Sequence, residues 1–301
     1  MKPIKLLFAI LSICFVAFTT ASSSNKMTGS LLWKVSGNGL EKPSYILGTL
    51  HLASKAKLDS IPGATQMLEQ SEQIVGELVM TEMMAQAFKI QQAGMMPADT
   101  TYKMLYTEEE YKKVSDGIKE YMGVDLSQVG ILKPSLIQTS IILLMYQKFF
   151  PNFNANEAMD GYVQQYASSV GKEILALETI ENQIDILFNQ SSLKRQAEVL
   201  LCLFEYPEKS QESAAKLIDA YNSADFEALE AMFNDTEGPC PSTQAEIDAM
   251  LKHRNDNWVK KLPEIMAKKS SFIAVGAGHL VGESGILTQL EKLGYTVERF
   301  R

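Results

Sequence analysis

Apolar and polar positions alternate at the start of the chain. Leu31, Trp33 and Val35 fall on one side and Lys34 and Ser36 on the other, the period of a half-buried strand. The stretch Glu41-Lys42-Pro43-Ser44 reads as a turn, and Tyr45–Thr49 as the returning strand of a hairpin. Pro62-Gly63 opens a short helix to Gln70, and Gln73–Val79 reads as a buried strand that Glu77 interrupts with a charge. A carboxylate there is costly unless it leaves the sheet or finds a partner.

From about residue 80 to 267 the helical period takes over. Helices are expected over Glu108–Tyr121, Pro134–Lys148, Asn156–Val170, Ile180–Phe188 and Asp225–Phe233, with Asp99–Leu105 irregular and Ile174–Leu177 a short buried strand. The Pro134–Lys148 segment is apolar nearly all round yet too short to span a bilayer, which marks a core helix. Gly171 suits the left-handed cap after Val170. Beyond the helices come an apolar strand from Ser271, a Gly285–Leu293 helix and a last strand at Tyr295–Phe300. The expected class is α/β, a mixed fold with a small, mostly parallel central sheet. Its strands come from the N- and C-terminal segments, helices surround it, and residues 22–301 form one domain with a helical insertion at about 80–267.

Two strand ends carry the same signature. Gly48-Thr49-Leu50-His51 follows one apolar run and Gly276-Ala277-Gly278-His279 another, and they hold two of the three histidines in the chain. Glycine permits a sharp turn or a close backbone approach, and strand C-termini are where α/β sheets build their sites. A lone histidine so placed is ordinarily a hydrogen-bonded turn residue; two in one context point to a site. The helix before the second copy starts at a Thr243-x-x-Glu246 capping box. On a regular helical wheel Arg254 lies about 20° from Ile247 and about 40° from Trp258 on the apolar stripe. A buried arginine must be paired. Asn255 borders the same stripe, and His253 faces solvent.

The candidate site is His51, Glu77, Arg254, Asn255 and His279. His51, Glu77 and His279 have the donor types of a divalent-metal centre, and the same groups without metal supply an imidazole base and a cation for an oxyanion. Asp160, Glu178 and Gln183 stand near helix ends, where a solvated or capping role is as good a reading as a functional one. HExxH, GxSxG and GxxxxGK[ST] are absent. Met80, Met83, Met84, Met95 and Met96 form a cluster readable as adaptable packing, as a cover over a cleft or as a soft-metal site.

Charge and cysteine usage set the compartment. Residues 1–21 have a basic start at Lys2 and Lys5, an apolar run Leu6–Phe18 and small residues at Thr19-Thr20-Ala21, the form of a secretory signal peptide. Ile13 before Cys14 argues against lipid attachment. Removing Lys2 and Lys5 leaves 26 basic against 36 acidic residues, a net charge of −10. That balance, with no basic stripe, argues against nucleic acid as a partner. The expected protein is exported, to the periplasm or the medium, with no membrane span once the leader is removed. Cys202 and Cys240 then form either a disulfide, closing a loop worth roughly 4 kcal/mol, or two separate thiols.

The ordered set LLWKV, YILGTLHL, VGEL, MDGY, GKEILALET, RNDNW and FIAVGAGHLVGESGILTQLEKLGYTVERF resembles the TraB/GumN family, which includes the TIKI-type metalloproteases. The resemblance implies hydrolysis of a peptide or protein substrate with a divalent metal, of the manganese or cobalt type; zinc is a third candidate from the donor types. It places the active site on His51, His279, Glu77, Arg254 and Asn255. Two other readings remain open from the residues: a secreted binding protein for a peptide or metal ligand, and a metal-free esterase-like hydrolase with a histidine base.

Overall fold

The computed structural model describes residues 29–147, 158–235 and 238–300. Six strands form one sheet: β1 (Leu32–Ser36), β2 (Ser44–Thr49), β3 (Gln73–Gly76), β4 (Glu173–Ala176), β5 (Ser271–Gly276) and β6 (Thr296–Arg299). Their spatial order is β4-β3-β5-β2-β1-β6. The pairs β4–β3, β3–β5 and β5–β2 are parallel, whereas β2–β1 and β1–β6 are antiparallel. The mixed α/β class is the one expected. The helical middle of the chain also contributes to the sheet, through β4.

Burial follows position in the sheet. Strand β5 runs down the centre as Ser-Phe-Ile-Ala-Val-Gly, buried at every residue, because both faces of a parallel sheet are covered. In β1, Leu32, Trp33 and Val35 are buried while Lys34 and Ser36 stay half-exposed. Strand β4, expected to be buried, is an edge strand and only partly covered. Strand β3 stops at Gly76 instead of continuing to Val79, so Glu77 falls just past the strand end and not inside it.

The helices build a second core. Val114, Ile118, Ile137, Ile141 and Leu200 pack together apart from the sheet, and helix Pro134–Gln147 runs through that cluster. A smaller cluster joins Leu78, Met83 and Ile90 to Ile180, Ile184 and Phe188. Met83 is therefore packing, as adaptable thioethers often are, whereas Met84 and Phe88 are exposed. The stretch expected to be irregular forms a short helix, Tyr102–Leu105, anchored by buried Tyr102, whose hydroxyl donates to the Leu132 carbonyl at 2.9 Å.

Cys202, on helix Leu193–Glu205, is bonded to Cys240 across a sequence separation of 38. Reduction of the purified protein is expected to lower its unfolding free energy by about 2–4 kcal/mol. The check is the denaturant midpoint of oxidised and reduced samples; coincident midpoints would show that the bond contributes nothing. Among the described residues no helix is long and apolar enough to cross a membrane. The expected signal peptide, with Cys14, lies outside the described residues.

Candidate active site at the strand ends

Four neighbouring parallel strands deliver four titratable side chains from their C-terminal ends. Strand β2 leads into His51, β5 into His279, β3 into Glu77 and β4, two residues on, into Glu178. This is the edge at which open α/β sheets place their ligands. Helices supply the rest: Asp160 from Met159–Ser169, and Arg254, Asn255 and Trp258 from His253–Lys268.

The two Gly-x-x-His turns touch each other. A Cβ at Gly48 would stand 3.0 Å from Leu280 Cδ1 and 3.2 Å from Ala277 Cβ, and one at Gly278 would stand 2.6 Å from the Phe233 ring. Neither glycine has a positive φ. The residue type is required here for close approach and not for an unusual backbone. The copies also differ: β2 continues through Thr49, whereas β5 ends at Gly276 and Ala277–His279 form a single 3-10 turn.

Arg254 is the hub of the buried centre and only 4% exposed. Its Nε donates to Glu178 Oε2 at 3.0 Å, and its Nη2 donates to Glu178 Oε1 at 2.7 Å and to Glu77 Oε2 at 2.6 Å. Its Nη1 donates to the Met250 carbonyl at 3.1 Å and to His279 Nε2 at 2.8 Å. Those five bonds use all five guanidinium N–H groups. Glu77 Oε1 accepts the Gly276 N–H at 2.8 Å, so both of its oxygens are engaged. Trp258 Nε1 and Gln183 Nε2 complete the shell of Glu178, at 3.3 and 2.8 Å.

A guanidinium cannot accept a hydrogen bond, which fixes the tautomer of His279. Nε2 carries the lone pair and Nδ1–H donates to Asn255 Oδ1 at 2.7 Å, while Asn255 Nδ2 donates to the carbonyls of His279 and Ser284. Burial, then the Arg254 charge, hold the His279 imidazole well below its usual protonation range. His279 is neutral, fully buried and packed against Trp258, the ring centroids 4.3 Å apart and the planes tilted by 42°.

His51 is held differently. Its Nδ1 lies 2.9 Å from Asp160 Oδ2, and its buried Nε2 has no hydrogen-bond partner. Burial alone would disfavour the imidazolium; the charge and hydrogen bond of Asp160 outweigh it, and the protonation midpoint is raised. Glu77 adds to that rise and Arg254 opposes it, so the two histidines belong to one electrostatic neighbourhood.

Beside His51 opens a hollow between the two turns, with Leu50 on one side, Gly276 and Gly278 on the other, and Tyr221, Leu229 and Phe233 among its walls. Tyr221 pins the first turn by donating to the Gly48 carbonyl at 3.2 Å. Met250 links hollow and ion network, since its side chain lines the one and its carbonyl binds Arg254. It sits in a π-helical turn, Asp248–Lys252, which a regular wheel over this helix does not anticipate.

All five residues singled out from sequence lie at this strand edge. Arg254 links Glu77 to His279, Asn255 binds His279, and His51 stands apart on Asp160. Sequence reasoning left Asp160, Glu178 and Gln183 undecided and gave Trp258 only a packing role. A signal for Glu178 was present: Glu173-Ile174-Leu175-Ala176-Leu177-Glu178 repeats the apolar-run-then-acid pattern of Gln73–Glu77.

As a metal centre the expected trio is incomplete. Of its members only His51 offers a ring nitrogen without a partner; the lone pair of His279 and the oxygens of Glu77 are taken by Arg254 and the Gly276 amide. Among the described residues no group of three or more His, Cys, Asp or Glu is disposed to hold a metal ion. In this arrangement the donor set does not fit one.

Fold and site together define an α/β protein with a buried arginine–carboxylate centre beneath an apolar hollow at the C-terminal edge of its parallel strands. A family model described as the TraB/PrgY/gumN family matches residues 31–299, and the chain belongs to that family. It is similar to Metalloprotease TIKI2 of Danio rerio, 23% identical over 330 residues that cover 91% of this chain and 62% of that protein. It is similar also to Metalloprotease TIKI homolog of Amphimedon queenslandica, 22% identical over 324 residues covering 92% and 62%. A third relative, Metalloprotease TIKI1 of Xenopus tropicalis, is 24% identical over 324 residues covering 89% and 61%. The chain thus spans about three fifths of the length of these relatives. No solved structure matches it.

Proposed function

We propose that this chain is an exported peptide hydrolase in which His51 activates the attacking water. The observation that carries the proposal is the orphaned Nε2 of His51, on a ring that Asp160 orients from behind and that lines a concave surface. Water attacks the scissile carbonyl carbon as its proton passes to Nε2, and the imidazolium returns that proton to the leaving amine when the tetrahedral intermediate collapses. Asp160 keeps Nδ1–H in place and stabilises the imidazolium. The printed names of the relatives support peptide hydrolysis as the reaction class, and the disulfide agrees with export. Arg254 was expected to meet the oxyanion. With all five N–H groups engaged, it acts here by holding Glu77, Glu178 and His279 in register.

A second reading, a divalent-metal centre on His51, Glu77 and His279, is favoured by one observation. Both histidines rest Nδ1 on a side-chain oxygen, the way metal-ligating imidazoles are oriented by outer partners. One assay separates the readings. Cleavage of an unstructured peptide library is measured for the wild type and His51→Ala, each with and without a chelator. The proposal expects a loss of about 10²–10⁴-fold in His51→Ala and a wild-type rate that the chelator leaves unchanged. Loss on chelation, restored by manganese, cobalt or zinc, assigns the metal reading. Equal cleavage by both proteins removes His51 from the reaction.

A further inference from the structure

The hollow beside His51 has a composition that the proton-transfer chemistry does not explain. Apart from His51 and Thr49, its side-chain walls are apolar: Leu50, Leu217, Leu229, Phe233, Met250 and Leu251, with the Tyr221 ring beside them. The single polar end on those walls, the Tyr221 hydroxyl, is spent on the Gly48 carbonyl. Among the described residues no carboxylate, lysine or arginine lines it. Away from His51 and Thr49, a charged group seated on these walls would lose its hydration and gain no partner.

The backbone on one side is as informative. Gly276, Ala277 and Gly278 line the hollow and between them carry no side chain larger than a methyl group, so an extended segment meets little obstruction from that turn. Room there is shared with the Phe233 ring, which would collide with any side chain at 278. Phe233 and Leu229 come from helix Phe226–Phe233, Leu217 from Pro207–Ser223, and Met250 and Leu251 from the π turn. Three separate segments each contribute apolar side chains at the same place. Leu217, Phe233 and Met250 are only half-buried, although an interior core contact would cover them fully.

We propose that this hollow is the specificity pocket of the enzyme, and that it receives an uncharged apolar side chain of the substrate adjoining the bond that His51 hydrolyses. The assignment rests on the hydrolase reading for its register relative to the scissile bond, and on the walls alone for the chemistry of the occupant. Aliphatic and thioether side chains, of which leucine and methionine are the models, gain by leaving water at these walls. Aspartate and lysine side chains are rejected. Selectivity of this kind is worth about 10–200-fold per methylene group in a fitted pocket.

The test has a binding arm and a turnover arm, both on the intact, disulfide-bonded protein. In the binding arm, N-acetylleucinamide and N-acetylaspartate amide are titrated into wild type, Leu217→Asp and Phe233→Ala, with each variant first matched to wild type by circular dichroism and denaturant midpoint. Saturable binding of the leucine probe to wild type, weakened at least tenfold by Leu217→Asp and undetectable for the aspartate probe, supports the pocket. Equal binding of both probes, or leucine-probe binding that Leu217→Asp and Phe233→Ala leave unchanged, overturns it. In the turnover arm, kcat/KM is compared for peptides that differ only at the residue before the cleaved bond and at the residue after it. A preference of at least tenfold for leucine over aspartate at one of the two positions, lost in Leu217→Asp, supports the assignment; no preference at either, or a preference that Leu217→Asp leaves unchanged, overturns it. Leucine-probe binding without any turnover retains the pocket and defeats the hydrolase reading, so the two failures are told apart.

Discussion

Replacing Arg254 by methionine is expected to destabilise the protein by about 3–5 kcal/mol and to abolish activity. The size follows from what is left behind. Arg254 supplies one positive charge to two carboxylates, Glu77 and Glu178, in a site where all three side chains are almost wholly covered. An intact ion pair of this sort adds little net stability, because desolvation offsets the attraction; removing one partner leaves uncompensated buried charge. The loss should ease as pH falls, since a stranded carboxyl takes up a proton and becomes neutral. Urea titrations at pH 5 and pH 8 check this, with the wild-type midpoint as reference and unchanged slopes required. A variant within about 1 kcal/mol of wild type at pH 8 would mean that water reaches the carboxylates and the centre is not the closed network described.

Activity in Arg254→Met should disappear for a related reason. Nη1 occupies the lone pair of His279, and Nη2 joins Glu77 to Glu178. Without the guanidinium the side chains of Glu77, Glu178 and His279 lose the group that ties them to one another, beside the second Gly-x-x-His turn that lines the hollow. Lysine is not a substitute, because one ammonium has three donors and no fork to span two carboxylates and an imidazole.

How far the sequence anticipates this centre depends on which physical rule carries the information. Periodicity places a residue on a face. It put Arg254 on the buried side of its helix, and the repeated glycine and histidine put residues 51 and 279 at equivalent strand ends. It is silent about partners across long separations, such as the 177 residues between Arg254 and Glu77 or the 109 between His51 and Asp160. Asp160 sits in the first turn of its helix, where an acid is expected for the helix dipole alone. The π turn at Asp248–Lys252 escapes a regular wheel because nothing in Asp-Ala-Met-Leu-Lys forbids an ordinary helix. Packing against the second turn and the hollow accompanies it. Strand β4 is legible as a strand, from Glu173-Ile174-Leu175-Ala176; its place on the edge is not, because edge and centre differ in neighbours that lie far away in sequence.

Asp160→Asn is expected to lower kcat/KM by about 10²–10⁴-fold and to move the acidic limb of its pH profile downward. The sign follows from the state that reacts. His51 accepts a proton, so only its neutral form works, and activity falls as pH drops through the protonation midpoint of the folded protein. In the wild type that midpoint is raised, because the Asp160 charge and hydrogen bond outweigh burial; the limb should lie above the ordinary imidazole value of about 6.5. Asparagine keeps the shape and one acceptor while removing the charge, so burial prevails and the limb should fall below that value. The same charge links to stability: the raised midpoint of His51 contributes stabilisation that is complete below about pH 6.5 and is lost as pH rises through the folded-state value. A merely structural role for Asp160 would reduce the rate and leave the limb where it was. Rate profiles of the two proteins between pH 5 and 9 therefore decide whether the carboxylate acts through the ring, and a limb common to both would remove His51 as the base whatever the loss in rate.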